Sequence, residues 1–285
     1  MPELPEVETM RRGISRIAGR RITGLHVPRS RLKPIRFEPA PAAFRRRAVG
    51  HTIEAVERLG KRVVLRLDGD LAVVFEPRMT GLVLLAEPPD TEHLRLGLRL
   101  NGCGAPWLWY WDRRGLGSVR LLSRAQLQAD LGPHRLGPDA LELSLPVLRA
   151  RLGSSRQPIK VALLDQRRLA GIGNLYASEI LHVAGIHPQR PCDRLNSRQW
   201  RAIHAALRQV LREAIRCEGS TLGDGTYRNA LNRPGSYQNH HRVYQRQGQP
   251  CPRCGRGQVC RTVQAQRATF FCPRCQRPGR RRPKR

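Results

Sequence analysis

The first fourteen residues read Met1-Pro2-Glu3-Leu4-Pro5-Glu6-Val7-Glu8-Thr9-Met10-Arg11-Arg12-Gly13-Ile14, and Ile17 follows shortly after. Leu4, Val7, Met10, Ile14 and Ile17 recur every third or fourth position, so they share one stripe of a helix over Leu4–Ile17. Pro5 fits the first turn, where a backbone N–H has no intrahelical acceptor to lose. Such a stripe needs an apolar surface to lie on, and the next stretch reads as strands. Val63–Leu67 and Leu71–Phe75 flank Asp68-Gly69-Asp70, a hairpin signal. Leu94, Leu96, Leu98 and Leu100 alternate strictly, as a half-buried strand does, and Trp107–Trp111 is an aromatic strand. Short strands with turn signals point to a sandwich or barrel.

The pattern changes over residues 130–155. Leu131–Gly137 holds Gly and Pro and reads as a hinge, and helical periodicity follows. Ser197 is placed to cap a helix whose apolar face is Trp200, Ile203, Leu207, Val210, Leu211 and Ile215, with Gly219 as its stop. Gly223–Ser236, rich in Gly, Asn and Pro, reads as a mobile loop, and Pro278–Arg285 as a basic tail. No internal repeat is visible. A length of 285 residues suits two domains.

The chain has 52 Lys+Arg against 22 Asp+Glu, a net charge of +30. That charge disfavours a neutral-metabolite enzyme and calls for a polyanionic partner, nucleic acid first and an anionic membrane second. Only Lys33, Lys61, Lys160 and Lys284 are lysines; the other 52 − 4 = 48 basic residues are arginines. A lysine in such a chain hints at a task arginine cannot perform, such as proton transfer. No run approaches ~20 apolar residues, so no transmembrane helix is expected. The N-terminus lacks the basic and apolar regions of a secretory signal, so a cytoplasmic location is expected.

Cys251, Cys254, Cys272 and Cys275 form two Cys-x-x-Cys pairs separated by residues 255–271, 17 positions. This is the spacing of a structural zinc site in a reducing compartment, with one Zn2+ per chain and no open coordination position. Cys103, Cys192, Cys217 and Cys260 read as inert thiols.

Pro2 is small enough for Met1 to be removed, which would leave a secondary amine able to attack a sugar C1′ and form an iminium. The positive end of the following helix disfavours the ammonium form. Glu3 and Glu6 lie on one side of the first turn and could carry a proton or support the site electrostatically. From composition alone, the simpler reading is an ordinary N-terminal proline with glutamates favoured by the helix dipole.

The full opening string closely resembles the start of the formamidopyrimidine-DNA glycosylases, repair enzymes that excise oxidised purines and nick the strand. The resemblance recurs in order along nearly the whole chain. Gly60-Lys61 stands where the family carries a catalytic lysine, and Arg78-Met79-Thr80-Gly81 looks like its intercalation loop. Asp112-Arg113-Arg114-Gly115-Leu116-Gly117 resembles its D-x-R-x-F-G element. Ile159-Lys160 and Gly171–Glu179 match its helix-two-turn-helix, and Gln264–Cys272 its zinc finger.

The resemblance implies an α+β protein. An N-terminal helix plus β-sandwich catalytic domain (1–132) would precede a helix-two-turn-helix domain (133–240), a four-cysteine zinc-finger β-hairpin (241–277) and a basic tail (278–285). It implies action on damaged double-stranded DNA, removing 8-oxoguanine and formamidopyrimidines and cleaving the abasic site by β,δ-elimination; flipping by a two-domain clamp needs only a monomer. Pro2 would be the nucleophile and Glu3 the acid that protonates the opening deoxyribose. Glu6 would help position the site, and Lys61 would assist electrostatically and in proton transfer. Met79, Arg114 and Leu116 would fill the void left by a flipped base. Lys160, Asn174 and Arg267 would grip phosphates.

Departures from the family pattern are specific. Leu116 replaces Phe, Glu76-Pro77 replaces His-Leu, and Thr91 replaces a phosphate-contacting His. An acid at position 76 is unfavourable beside DNA. The interval between the cysteine pairs is one residue longer than the resemblance leads one to expect, an insertion assigned to the hairpin tip. Two rivals share some of these features. An oxidised-pyrimidine glycosylase of the endonuclease VIII type shares the scaffold. A non-catalytic zinc-ribbon DNA-binding protein needs the charge and the finger but not Pro2, Glu3 or Lys61.

Overall fold

The opening stripe forms helix α1 (Leu4–Ile14), which closes in a 3-10 turn at Ser15–Ile17 instead of continuing as α-helix. The structure, a computed structural model, describes residues 2–102 and 107–278; Cys103 and the tail beyond Pro278 lie outside them. Leu4, Val7, Met10, Ile14 and Ile17 are all fully buried. Gly13 interrupts the helix at a cost of about 1 kcal/mol relative to alanine. A Cβ there would lie 2.4 Å from Cβ of Ala230, so the glycine is what permits this close approach.

Two sheets share one core with α1. The first has the order β1 (Ile22–His26), β7 (Leu94–Leu100), β8 (Trp107–Asp112), β6 (Gly81–Leu84), all antiparallel. The second has the order β2 (Arg36–Glu38), β9 (Ser118–Ser123), β5 (Leu71–Glu76), β4 (Arg62–Leu67), β3 (Ile53–Leu59), with only β2 and β9 parallel. Val63, Leu65, Val73 and Phe75 from one sheet pack with Leu82, Leu96, Leu98 and Leu108 from the other, which makes a β-sandwich. Phe44 of α2 (Pro41–Ala48) joins this core. Leu127 and Leu131 of α3 (Arg124–Leu131) cover the outer face of the five-stranded sheet. β7 is not half-buried as its alternation suggests. Arg95 and Gly97 are buried too, because Arg95 Nε donates to Asp112 O at 3.0 Å and Trp109 lies over Gly97.

The remaining helices are α4 (Leu145–Leu152), α5 (Ile159–Leu164), α6 (Asn174–Ala184) and α7 (Ser197–Arg216). Asn196, not Ser197, caps α7. Its Oδ1 accepts from Gln199 N and Gln199 Oε1 accepts from Asn196 N, a reciprocal box one residue earlier than expected. The helix stops at Glu218, not Gly219 alone. Glu218 takes φ 56°, and the N–H groups of Glu218 and Gly219 bond Ile215 O and Ala214 O, a Schellman closure. A hairpin of β10 (Cys260–Gln264) and β11 (Arg267–Phe271) follows.

The chain forms two compact units, residues 1–135 with 214–238, and residues 136–213 with 239–285. Residues 214–238, which the resemblance assigns to the helical domain, cluster here with the first unit. Nor is Gly223–Ser236 detached from the core. Tyr227 and Ala230 are buried in the sandwich core, and Ala230 O accepts from Leu85 N and Ala86 N.

Candidate active site and nucleic-acid interface

Glu3 stands at the N-cap of α1 and Glu6 three positions in, and the two form a reciprocal capping box. Both are buried. Glu6 Oε2 accepts Glu3 N at 2.9 Å and Glu6 Oε1 accepts Ser220 N at 2.9 Å, so one carboxylate ties the chain start to the 214–238 segment. Gly219 makes this possible, since a Cβ on it would lie 2.9 Å from Glu6 Cγ. The Tyr227 hydroxyl sits 3.0 Å from Glu218 O and 3.3 Å from Glu6 O, and burial pushes its ionisation well above the usual range, so it stays a donor. Pro2, itself buried, lines a small cleft with Met79, Thr80, Ser220, Asp224 and Tyr227. Sequence reading missed Ser220 and Tyr227, whose signal was only their place in a polar, glycine-containing stretch.

Met79 and Leu116 are among the few exposed large apolar side chains, at 36% and 39%. They lie on different loops, after β5 and after β8, and one buried carboxylate fastens both. Asp112 Oδ1 accepts the Thr80 hydroxyl and Oδ2 accepts Gly117 N at 2.8 Å, while Arg114 N bonds Thr80 Oγ1 at 3.0 Å. Asp112 thus positions Met79, Arg114 and Leu116 together, a role not assigned to it from sequence.

Lys61 occupies the second place of a two-residue turn between β3 and β4, with Gly60 at φ 58°. The departure at Glu76 is neutralised where it stands. Its carboxylate pairs with Arg62 at 3.2 Å and Arg78 at 2.9 Å, so no bare acid faces outward.

In the second unit, Gln166 braces the two turns between α5 and α6, donating to Leu164 O and Ile172 O and accepting from Gly171 N. Lys160, expected to grip phosphate, makes its contacts internally in this arrangement. It is 0% exposed, and its Nζ donates to Asn174 Oδ1 at 2.7 Å, Ala268 O at 2.9 Å and Thr269 Oγ1 at 2.6 Å. An ammonium has three protons, and three internal acceptors take them. Lys160 is therefore a strut joining α5, the start of α6 and strand β11. Half-buried Asn174 lends it an acceptor, and Arg267, at the exposed start of β11, keeps its side chain outward. Buried Glu179 accepts the N–H groups of Arg242, Val243 and Tyr244 at 2.8–2.9 Å, anchoring the segment that leads into the finger.

The four cysteines converge. Cys251 and Cys275 sulfurs lie 3.8 Å apart, Cys254 and Cys272 3.9 Å, and all four within 4.8 Å of one another. A tetrahedron with Zn–S bonds of ~2.3 Å has edges of about 3.8 Å, so the donor set fits zinc in size as well as chemistry. The N–H groups of Arg256 and Gly257 lower the Cys254 thiol to about 6, which favours a thiolate ligand. The hairpin tip, Ala265-Gln266, is a two-residue turn with φ of 45° and 59°. The shortest hairpin connection has no room for an inserted residue, so the longer interval is not taken up at the tip as expected.

Residues 1–119 match the formamidopyrimidine-DNA glycosylase N-terminal domain, and residues 136–225 the formamidopyrimidine-DNA glycosylase H2TH domain. The formamidopyrimidine-DNA glycosylase of Chloroflexus aurantiacus is 42% identical over 278 residues, covering 97% of this chain and 98% of its own length. That of Thermus thermophilus is 40% identical over 281 residues, covering 98% and 100%. The crystal structure of the MutM (Fpg) protein from Thermus thermophilus matches with a TM-score of 0.83 at 38% identity, over 98% of this chain and 100% of that one. Lactococcus lactis Fpg in complex with DNA containing an abasic site matches at 0.84 and 30% identity, over 97% and 100%. A sandwich, a braced two-turn helix pair and a four-cysteine hairpin, in this order and at these identities, make the chain a member of the formamidopyrimidine-DNA glycosylase family.

Proposed function

We propose that this repair DNA glycosylase excises oxidised purines from duplex DNA and then cleaves the abasic strand, with the Pro2 amine as nucleophile. One observation carries the reading: Pro2 lines a cleft at the start of α1 that Met79 also lines, beside the Glu3–Glu6 box. After removal of Met1, Pro2 nitrogen attacks C1′ of a flipped nucleotide. The base leaves with the C1′–N bond pair, and Glu3 delivers a proton to the opening sugar ring. The resulting iminium acidifies C2′, so loss of that proton expels the 3′ phosphate, and a second elimination expels the 5′ phosphate. Lys61 supports these proton transfers. Glu6 positions the site, each of its oxygens accepting a backbone N–H group. Met79, Arg114 and Leu116 fill the vacated space, presented from the Asp112-fastened loops, and Arg267 contacts the backbone. Cys251, Cys254, Cys272 and Cys275 hold one zinc ion, which closes the finger and takes no part in the reaction.

Borohydride trapping on damaged duplex tests the nucleophile. The mature chain is expected to form a covalent adduct, Pro2→Gly to trap far more slowly with near-normal binding, and chain retaining Met1 to trap not at all. Full-rate trapping by a form shown by mass spectrometry to retain Met1 would remove Pro2 from the mechanism, and binding without any adduct would favour a non-catalytic damage sensor.

A further inference from the structure

Helix α7 carries a surface that the excision reading leaves unused. Arg198, Arg201, Arg208 and Arg212 are all exposed. At 3.6 residues per turn they fall within an arc of about 80° and span about 21 Å along the axis. Among the described residues, none of the four forms an ion pair with an acid, whereas Arg11, Arg12, Arg58, Arg62, Arg120 and Arg242 all do. The helix's own acid, Glu213, is turned to Arg242 at 2.8 Å. Like charges spaced three or four apart weaken a helix, so the row is held against its own repulsion. A groove between α4 and α7 extends the surface. Arg149, Trp200 and Arg201 line it, together with one carboxylate, Asp193.

We propose that this arginine face binds the phosphate backbone of a second duplex segment, separate from the one that carries the lesion. Its charge is complementary to that partner and to little else. Four guanidiniums span about 21 Å, a length over which a duplex, with one charge per ~1.7 Å of axis counting both strands, carries about a dozen phosphates. A membrane surface is a poor match, because an interfacial helix must offer an apolar face, and the apolar face of α7 is buried. None of the four arginines belongs to α5, α6 or the finger, which carry Asn174 and Arg267. The enzyme would therefore hold two stretches of DNA at once and pass between them without full release. The proposal rests on duplex binding by this family but not on the excision chemistry.

The test uses the full-length, zinc-loaded protein and two lesion-free duplexes carrying a donor and an acceptor fluorophore. The wild-type chain is expected to bring both duplexes into energy transfer at substoichiometric protein. Four backbone contacts should weaken capture of the second duplex on the order of a hundredfold between 50 and 200 mM salt. The variant Arg198→Gln/Arg201→Gln/Arg208→Gln/Arg212→Gln is expected to lose this transfer at least about tenfold. Its zinc content and single-turnover excision of a short lesion duplex should stay at wild-type values, and its thermal melt should not fall, since the like-charge repulsion is relieved. Energy transfer that survives in the variant, a wild type that binds one duplex only, or a row that captures an acidic peptide in place of duplex each overturns the proposal. Excision failing while bridging persists would count against the excision reading alone.

Discussion

The Pro2 end of the first unit and the finger-bearing part of the second are fastened differently, the second adding a buried ammonium to the carboxylate of Glu179. Around Pro2 the fasteners are carboxylates. Glu6 gathers the N–H groups of Glu3 and Ser220, and Asp112 gathers the Thr80 hydroxyl and Gly117 N–H. In the second unit the central fastener is an ammonium, Lys160, which gathers oxygens from Asn174, Ala268 and Thr269. A chain of charge +30 thus turns acids inward, where backbone donors satisfy them. The contrast teaches that residue type does not announce role. Lys61 and Lys160 are two of four lysines, and one sits on a hairpin turn while the other is wholly enclosed.

The largest effect expected from breaking this arrangement lies in the finger. Val243, Val259 and Phe270 form only a small cluster of their own, so the finger depends on its metal. Cys272→Ser should abolish zinc binding, forfeiting a term of about 10 kcal/mol or more, and DNA binding should go with it. Elemental analysis and duplex titration check both; active, DNA-binding protein without metal would show that the cysteines close the finger unaided.

A smaller effect separates the enclosed lysine from the exposed arginine. Lys160→Met removes the donor from three internal acceptors and should lower stability by about 4.5 kcal/mol or more, since hydrogen bonds to charged groups contribute ~1.5–3 kcal/mol each. Its effect on the salt slope of binding, measured on protein that remains folded, should be negligible. Arg267→Ala should do the reverse, leaving the melt near wild type and flattening the slope by about 0.9. A flattened slope in Lys160→Met with no loss of stability would instead assign Lys160 the phosphate-gripping role.

The least of these effects concerns pH. Burial alone would raise Glu8, but hydrogen bonds from Arg11 and Arg12 and the charge of Arg58 bring it from 4.5 down to about 2. Because the folded value lies below the unfolded one, its contribution is complete above pH ~4.5 and declines as pH falls toward 2, up to about 3 kcal/mol in all. Urea unfolding at pH 5 and pH 3 should show a loss in the wild type that is largely missing in Glu8→Gln. An unchanged pH dependence in that variant would assign the acid sensitivity to other carboxylates.

What the chain announces by itself is what depends on local spacing. The α1 stripe, the Asp68-Gly69-Asp70 hairpin, the aromatic strand and the paired Cys-x-x-Cys knuckles are periodicities within short windows, and each forms where it was expected, save that the last turn of the stripe, Ser15–Ile17, is 3-10. The opening string and the ordered motifs also identify the family. What required the tertiary structure is whatever joins distant segments. Glu6 meets Ser220 across 214 positions, Lys160 meets Thr269 across 109, and Gly13 accommodates Ala230. The turn at Ala265-Gln266 adopts positive φ with neither glycine nor asparagine to signal it. The physical reason is the same throughout. A buried charge or a close backbone approach is stable only when several remote segments converge on it, and no single window of sequence contains all of its partners.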